Sequence, residues 1–281
     1  MRRANEFWRG SGLSYWLDIA THRLAAAGVV TPRHDAQQLA AFALGVPWSD
    51  VVTDSLREPF GEGQRVRLED ALARRERGEP LAYIEGSRGF YGLELRCGPG
   101  VLVPRPETET VVDVVLELVD GVPNPVVVDL GTGTGAIALA VASKRPDAEI
   151  VATDASEEAL GYARDNAAAL GLDVWFACGD LFDAVPDELC GRVDVVVSNP
   201  PYVRDDAELP VDVRAEPALA LFGGPDGTDV LRRIAGGAPA WLKRGGAIVL
   251  EIGEADQASV LADGTVRDDL TGRPRVIWKR P

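Results

Sequence analysis

Two stretches of the chain carry residues whose types and spacing suit chemistry. One is Asn199-Pro200-Pro201-Tyr202, which follows directly on Val195-Val196-Val197-Ser198. An uninterrupted apolar run of this kind reads as a buried strand, so the four residues stand at its carboxyl edge, where ligands collect in open α/β sheets. Proline fixes φ and carries no backbone N–H, so two in succession make a stiff turn whose carbonyls meet few competing donors. The Asn199 side-chain oxygen and the Pro200 carbonyl can then hold both hydrogens of one planar NH2 group, with Tyr202 against its face. The nitrogen of an amide or exocyclic amine is a poor nucleophile because its lone pair is delocalised. Two preorganised acceptors aim that lone pair at an electrophile and stabilise the positive charge that builds on nitrogen as a new bond forms. That is chemistry suited to methyl transfer, and hydride transfer would leave these residues without a role.

The second stretch is Asp129-Leu130-Gly131-Thr132-Gly133-Thr134-Gly135-Ala136, set between a strand-like run and a helix-like one. Glycines there let a cofactor approach the backbone, and the following helix start offers free amides. The spacing also satisfies G-x-G-x-x-A, and Asp154 closes the next strand 23 residues after Gly131. An acid so placed accepts ribose hydroxyls in NAD or in S-adenosyl-L-methionine, and the loop alone does not choose between them. Asp180, in Cys178-Gly179-Asp180-Leu181, closes a third strand, where its carboxylate can meet an adenine amino group and Leu181 can pack on the ring. An acid at a strand end also serves as a plain turn residue.

The elements that must position these residues follow from periodicity. From Glu149 to Val197 strand-like and helix-like runs alternate, after a helix from Ala136 to Lys144. The pattern predicts an α/β fold, with a mostly parallel Rossmann-like sheet covered by helices on both faces. Pro106, with Glu107 and Glu109 in the first turn, starts the helix that precedes it, and Ala247–Ile252 and Arg275–Trp278 add later strands. The amino-terminal part reads differently. Leu13, Trp16, Leu17, Ala20 and Leu24 recur at helical spacing, Thr31-Pro32 opens a second helix that Gly45 ends, and 63–77 forms a third. Between the two parts, Tyr83-Ile84, Phe90-Tyr91, Leu93 and Leu95 alternate among glycines and read as strand and turn. The expected organisation is a small helical bundle over 1–78, a β-hairpin linker over 79–105, and the α/β domain that carries both motifs over 106–281.

Charge and composition close off other classes. Acids outnumber bases by 44 to 29, a net charge of −15. The imbalance lies beyond Arg77, where the net is −16, against +1 for 1–77. A surface that tracks phosphates concentrates the opposite sign, so stable nucleic-acid binding is not expected. No window has the roughly 18 uninterrupted apolar residues of a membrane span, and 1–20 lacks the apolar run of a signal peptide. A cytoplasmic protein with no membrane association is expected. Three cysteines and two histidines without ligand spacing predict reduced thiols and no metal.

On these motifs the chain resembles the release-factor glutamine methyltransferases (the PrmC/HemK family), of the class I S-adenosylmethionine-dependent fold. The resemblance spans about 79–254. It is carried by Glu79–Ile84, Phe90–Leu93, Val101–Glu109, Asp129–Ala136, Ser198–Tyr202, Glu216–Leu219 and Gly223–Gly227. It implies methyl transfer to the side-chain nitrogen (N5) of the glutamine in the Gly-Gly-Gln motif of class 1 peptide chain release factors. Gly131, Thr132, Gly133, Thr134, Gly135, Asp154, Asp180, Leu181 and Asn199 would bind S-adenosyl-L-methionine. Asn199, Pro200, Pro201 and Tyr202 would bind the glutamine, with Asn199, Pro200 and Tyr202 catalytic. Arg105 and Glu107 would lie near the cofactor, the helical domain would grip the release factor, and the chain is expected to act as a monomer. Family members usually carry a longer helix and strand where only Ala255–Asp268 intervenes here, so the last helix is expected to be short. The alternative enzyme is an adenine-N6 methyltransferase for DNA or RNA, because adenine presents the same planar NH2, but the charge of the catalytic part opposes it. A nicotinamide oxidoreductase would leave Asn199–Tyr202 idle, and a non-catalytic module would bind cofactor without turnover.

Overall fold

A computed structural model describes residues 12–53 and 61–281. The chain divides into two units, one running up to Gly86 and taking in Val211–Ala215, the other made of Ser87–Pro210 and Glu216–Pro281.

The first unit is helical: α1 (Leu13–Ala26), α2 (Pro32–Leu44), α3 (Trp48–Val52), α4 (Glu62–Glu76) and α5 (Leu81–Glu85). The five periodic residues of α1 are all buried, with Trp16 and Leu24 packed among Leu39, Leu68 and Leu72. Gly45 ends α2 in the left-handed region at φ 71°. Tyr83-Ile84, read as strand texture in the sequence, lies instead in α5. Pro80 sets the helix start, Gly86 caps its end at φ 82°, and Ile84 is buried in the helical core, so packing overrides the strand preference of these side chains. Arg75 is buried in this unit. Its Nε donates to Asp35 at 2.7 Å, Nη1 to the Glu79 carbonyl at 2.9 Å and Nη2 to Asp212 at 2.9 Å. Among the described residues no helix is long and apolar enough to cross a membrane.

The second unit opens with the hairpin β1 (Ser87–Phe90) and β2 (Leu93–Arg96). Phe90 and Leu95 are buried in the same cluster as Val111 and Val115, so the hairpin is part of this unit's core. A 3-10 turn over Pro106–Thr108 leads into α6 (Glu109–Leu118). Then come β3 (Val126–Leu130), α7 (Ala136–Lys144), β4 (Glu149–Asp154), α8 (Glu157–Leu170), β5 (Trp175–Cys178), β6 (Val193–Ser198), β7 (Leu242–Glu251), β8 (Thr265–Asp268) and β9 (Pro274–Lys279).

The seven-stranded sheet has the order β5-β4-β3-β6-β7-β9-β8. The first five strands are parallel, and β9 and β8 are antiparallel to their neighbours. Alternate residues face opposite layers: Val127 packs in one buried cluster, Val126 and Val128 in the other. The shortened tail forms a six-residue 3-10 helix, Ala255–Val260, and still supplies the edge strand β8. From β3 the chain winds outward through β4 and β5, then returns to lay β6 on the other side of β3. That reversal is the switch point at which such sheets bind ligands.

Candidate active site

The reversal brings the two sequence motifs together. Leu130 and Ser198 are register partners at the ends of β3 and β6, so the glycine loop and Asn199 leave adjacent strands side by side. Ser198 Oγ donates to the Leu130 carbonyl at 2.6 Å and ties the two ends. They open on a cavity of about 290 Å³. Gly131, Thr132, Gly133, Thr134 and Asp154 line one side, with Asp180 and Leu181, and Asn199 and Pro201 line it too. Gly135, Pro200 and Tyr202 are not on its wall.

The loop is built from backbone. Gly131, Gly133 and Gly135 have φ of 70°, 58° and 83°, a region closed to most side chains, and a Cβ at Gly131 would meet no protein atom within 4 Å. Asp154 fixes the loop: Oδ2 accepts the Gly133 N–H and Oδ1 the Ser156 N–H, each at 2.8 Å. Burial raises its pKa, and these backbone bonds pull against the rise. Asp129 is wholly buried beneath the loop. Its Oδ2 accepts from the Thr132 hydroxyl at 2.6 Å and the Ala138 N–H at 3.2 Å, while Oδ1 has no partner. Burial pushes this carboxyl up to about 7. Asp180 is exposed and accepts from Arg233 at 2.7 Å. Leu181 holds a positive φ of 53°, and its carbonyl accepts the Thr153 hydroxyl.

The other corner is built from side chains supplied by distant parts of the sequence. Asn199 Nδ2 donates to Thr108 Oγ1 at 3.2 Å, and Asn199 Oδ1 and the Pro200 carbonyl accept no hydrogen bond among the described residues. Tyr202 donates its hydroxyl to Glu251 Oε1 at 2.9 Å, and burial raises the phenol's pKa. Glu251 is itself wholly buried. Burial pushes its carboxyl up to about 7, and the Thr108 and Tyr202 hydroxyls pull against that rise. Gln257, from the short 3-10 helix, donates to the Tyr202 carbonyl at 2.8 Å and the Gly227 carbonyl at 3.3 Å. Gly223 donates its N–H to the Val203 carbonyl at 2.8 Å, and a Cβ on Gly223 would strike the Pro201 carbonyl, so the glycine-rich segment packs directly on the turn. Arg105 lines the cavity and pairs with Glu216, which also accepts the Val103 N–H at 2.9 Å. Thr108, Glu251 and Gln257 are the site residues that sequence reasoning did not single out.

Comparison with known proteins places this architecture. Residues 107–215 match the methyltransferase small domain and 15–86 match the PrmC N-terminal domain. The release factor glutamine methyltransferase of Mycolicibacterium smegmatis is 43% identical over 272 residues, covering 93% of this chain and 95% of that protein. The enzyme of the same name from Deinococcus radiodurans is 40% identical over 273 residues, covering 94% and 96%. Among solved structures, a T. thermophilus 16S rRNA methyltransferase in complex with AdoMet and guanosine superposes with a TM-score of 0.52 at 22% identity. It covers 69% of this chain and 49% of that one, a likeness of fold. With 40–43% identity held over nearly the full length of both chains, the protein belongs to the release factor glutamine methyltransferase family.

Proposed function

We propose that the protein transfers a methyl group from S-adenosyl-L-methionine to the side-chain nitrogen of the glutamine in the Gly-Gly-Gln motif of class 1 peptide chain release factors. The observation that carries this reading is the state of Asn199. It stands on the cavity wall beside the glycine loop with its amide nitrogen engaged by Thr108 and its oxygen unclaimed.

The residues present fit the cofactor. The Gly131 position is a cradle that a side chain would fill, and both Asp154 oxygens keep a lone pair for ribose hydroxyls after accepting one backbone N–H each. Asp180 and Leu181 border the same cavity and suit an adenine edge and face. When bound, the cofactor supplies an electrophilic methyl carbon on a sulfonium sulfur.

The chain's own part is to present the nitrogen. Asn199 Oδ1 and the Pro200 carbonyl each accept one hydrogen of the glutamine NH2, which fixes the amide plane and points the nitrogen lone pair into the cavity. As positive charge grows on that nitrogen the same two oxygens stabilise it, and the N–H proton becomes acidic enough to leave to water. Pro201 closes the wall beside Asn199. Tyr202, its hydroxyl committed to Glu251, anchors the turn and has only its ring to offer the substrate. The helical unit, near neutral where the catalytic part is strongly acidic, is assigned the grip on the release factor.

A direct test incubates the purified full-length chain with labelled cofactor and, in separate reactions, a class 1 release factor, duplex DNA and RNA. Label on the Gly-Gly-Gln glutamine, located by peptide mass, is the expected result. Label on nucleic acid with none on the release factor would reverse the assignment.

A further inference from the structure

An asparagine side chain has two faces to offer, and only one of them works here. If its amide were turned over, Asn199 would present N–H to the N–H of the substrate and repel it. Something must set the orientation, and the structure assigns that task to Thr108. This inference rests on the amide-methylating reading of the site.

Two observations converge on it. Thr108 occupies the N-cap position of α6, where a threonine oxygen normally accepts a backbone N–H of the first turn, yet its side chain caps nothing. The hydroxyl is committed elsewhere: Oγ1 accepts from Asn199 Nδ2 at 3.2 Å. Thr108 Oγ1 takes the Asn199 amide N–H on a lone pair, which holds the NH2 on the Thr108 side. Asn199 therefore turns its NH2 toward Thr108 and its oxygen toward the cavity. Thr108 itself is 3% exposed and lines the same cavity, so it lies close to the substrate amide while acting through Asn199 as a positioning residue.

The test compares Thr108→Val and Thr108→Ser in the full-length enzyme by steady-state kinetics on a release factor, with cofactor affinity by calorimetry and the thermal midpoint alongside. Valine keeps the shape and removes the acceptor, and serine keeps the hydroxyl. Thr108→Val is expected to lose about 10- to 100-fold in kcat, the usual cost of removing a residue that orients a catalytic group, with cofactor affinity and thermal midpoint near those of the wild type. Thr108→Ser is expected to recover kcat to within about 3-fold. Should valine fail to fold, Thr108→Ala, smaller than the native side chain, takes its place. A kcat for Thr108→Val or Thr108→Ala equal to the wild type overturns the assignment, and so does a serine variant as slow as the valine one. If the wild type labels nucleic acid instead of the release factor, the functional reading falls, and the same variants measured on that amine still decide the role of Thr108.

Discussion

The carboxyl ends of β3 and β6 are register neighbours, yet they are built by different means. At the end of β3 the working groups are main-chain: three glycines at positive φ, with Asp154 holding two backbone N–H groups. At the end of β6 they are side-chain groups set by residues far away in sequence, Thr108 from the turn before α6 and Glu251 from β7. A site made of main chain fails when a side chain is added. A site made of side chains fails when a polar atom is taken away.

The most severe way to break the second corner is Asn199→Ala. Loss of a preorganised acceptor at the reacting nitrogen is expected to lower kcat by about 100-fold or more, with cofactor affinity changing far less. Single-turnover methylation with binding followed separately checks this, and an undiminished rate would remove Asn199 from the mechanism. On the first corner the matching change is an addition, Gly133→Ala, at φ 58°. A β-carbon there costs about 1–2 kcal/mol in backbone strain, so cofactor binding is expected to weaken by about 10-fold while kcat at saturation holds. Equal losses in both quantities for both variants would erase the distinction between the corners.

A further effect concerns the buried acid beneath the first corner. Asp129 has its pKa raised from 3.8 to about 7, so the folded chain holds a proton there that the unfolded chain has released. The associated stability is fully present below about 4 and is lost as pH rises through 7. Asp129→Asn removes that titration. Its thermal midpoint should fall less than the wild type's between pH 4 and 8, by up to about 4 kcal/mol at about 1.4 kcal/mol per pKa unit, or on the order of 10 °C. Parallel pH curves would show that Asp129 does not titrate in this range. The smallest expected change is for Arg233→Ala. The pair with Asp180 is more than half exposed on both sides, so its loss should alter cofactor affinity by less than about 3-fold in a titration. A larger shift would make Arg233 a cofactor contact in its own right.

The same contrast explains what was legible in the sequence. The glycine loop announces itself because φ-positive glycines must be contiguous with the strand and helix they join, and Asn199–Tyr202 is legible because its two acceptors are adjacent. Thr108 and Glu251 stand 91 and 52 residues from Asn199 in sequence, one looking like an ordinary helix start and the other like the end of a strand. Their role exists only once β7 lies beside β6. The two-residue strand texture at Tyr83-Ile84 gave way to the helical core, and β8 went unforeseen because four mostly exposed residues at a sheet edge leave no apolar run to read.

The helical unit is not a continuous piece of the polypeptide. A fragment stopping at Gly86 would keep Asp35 but discard Asp212, so the buried guanidinium of Arg75 would have one carboxylate where the intact chain gives it two. Deletion mapping that cuts at the apparent boundary therefore removes a supporting member of the very unit it seeks to isolate, and weakened binding by such a fragment would report the missing segment as much as the missing catalytic half.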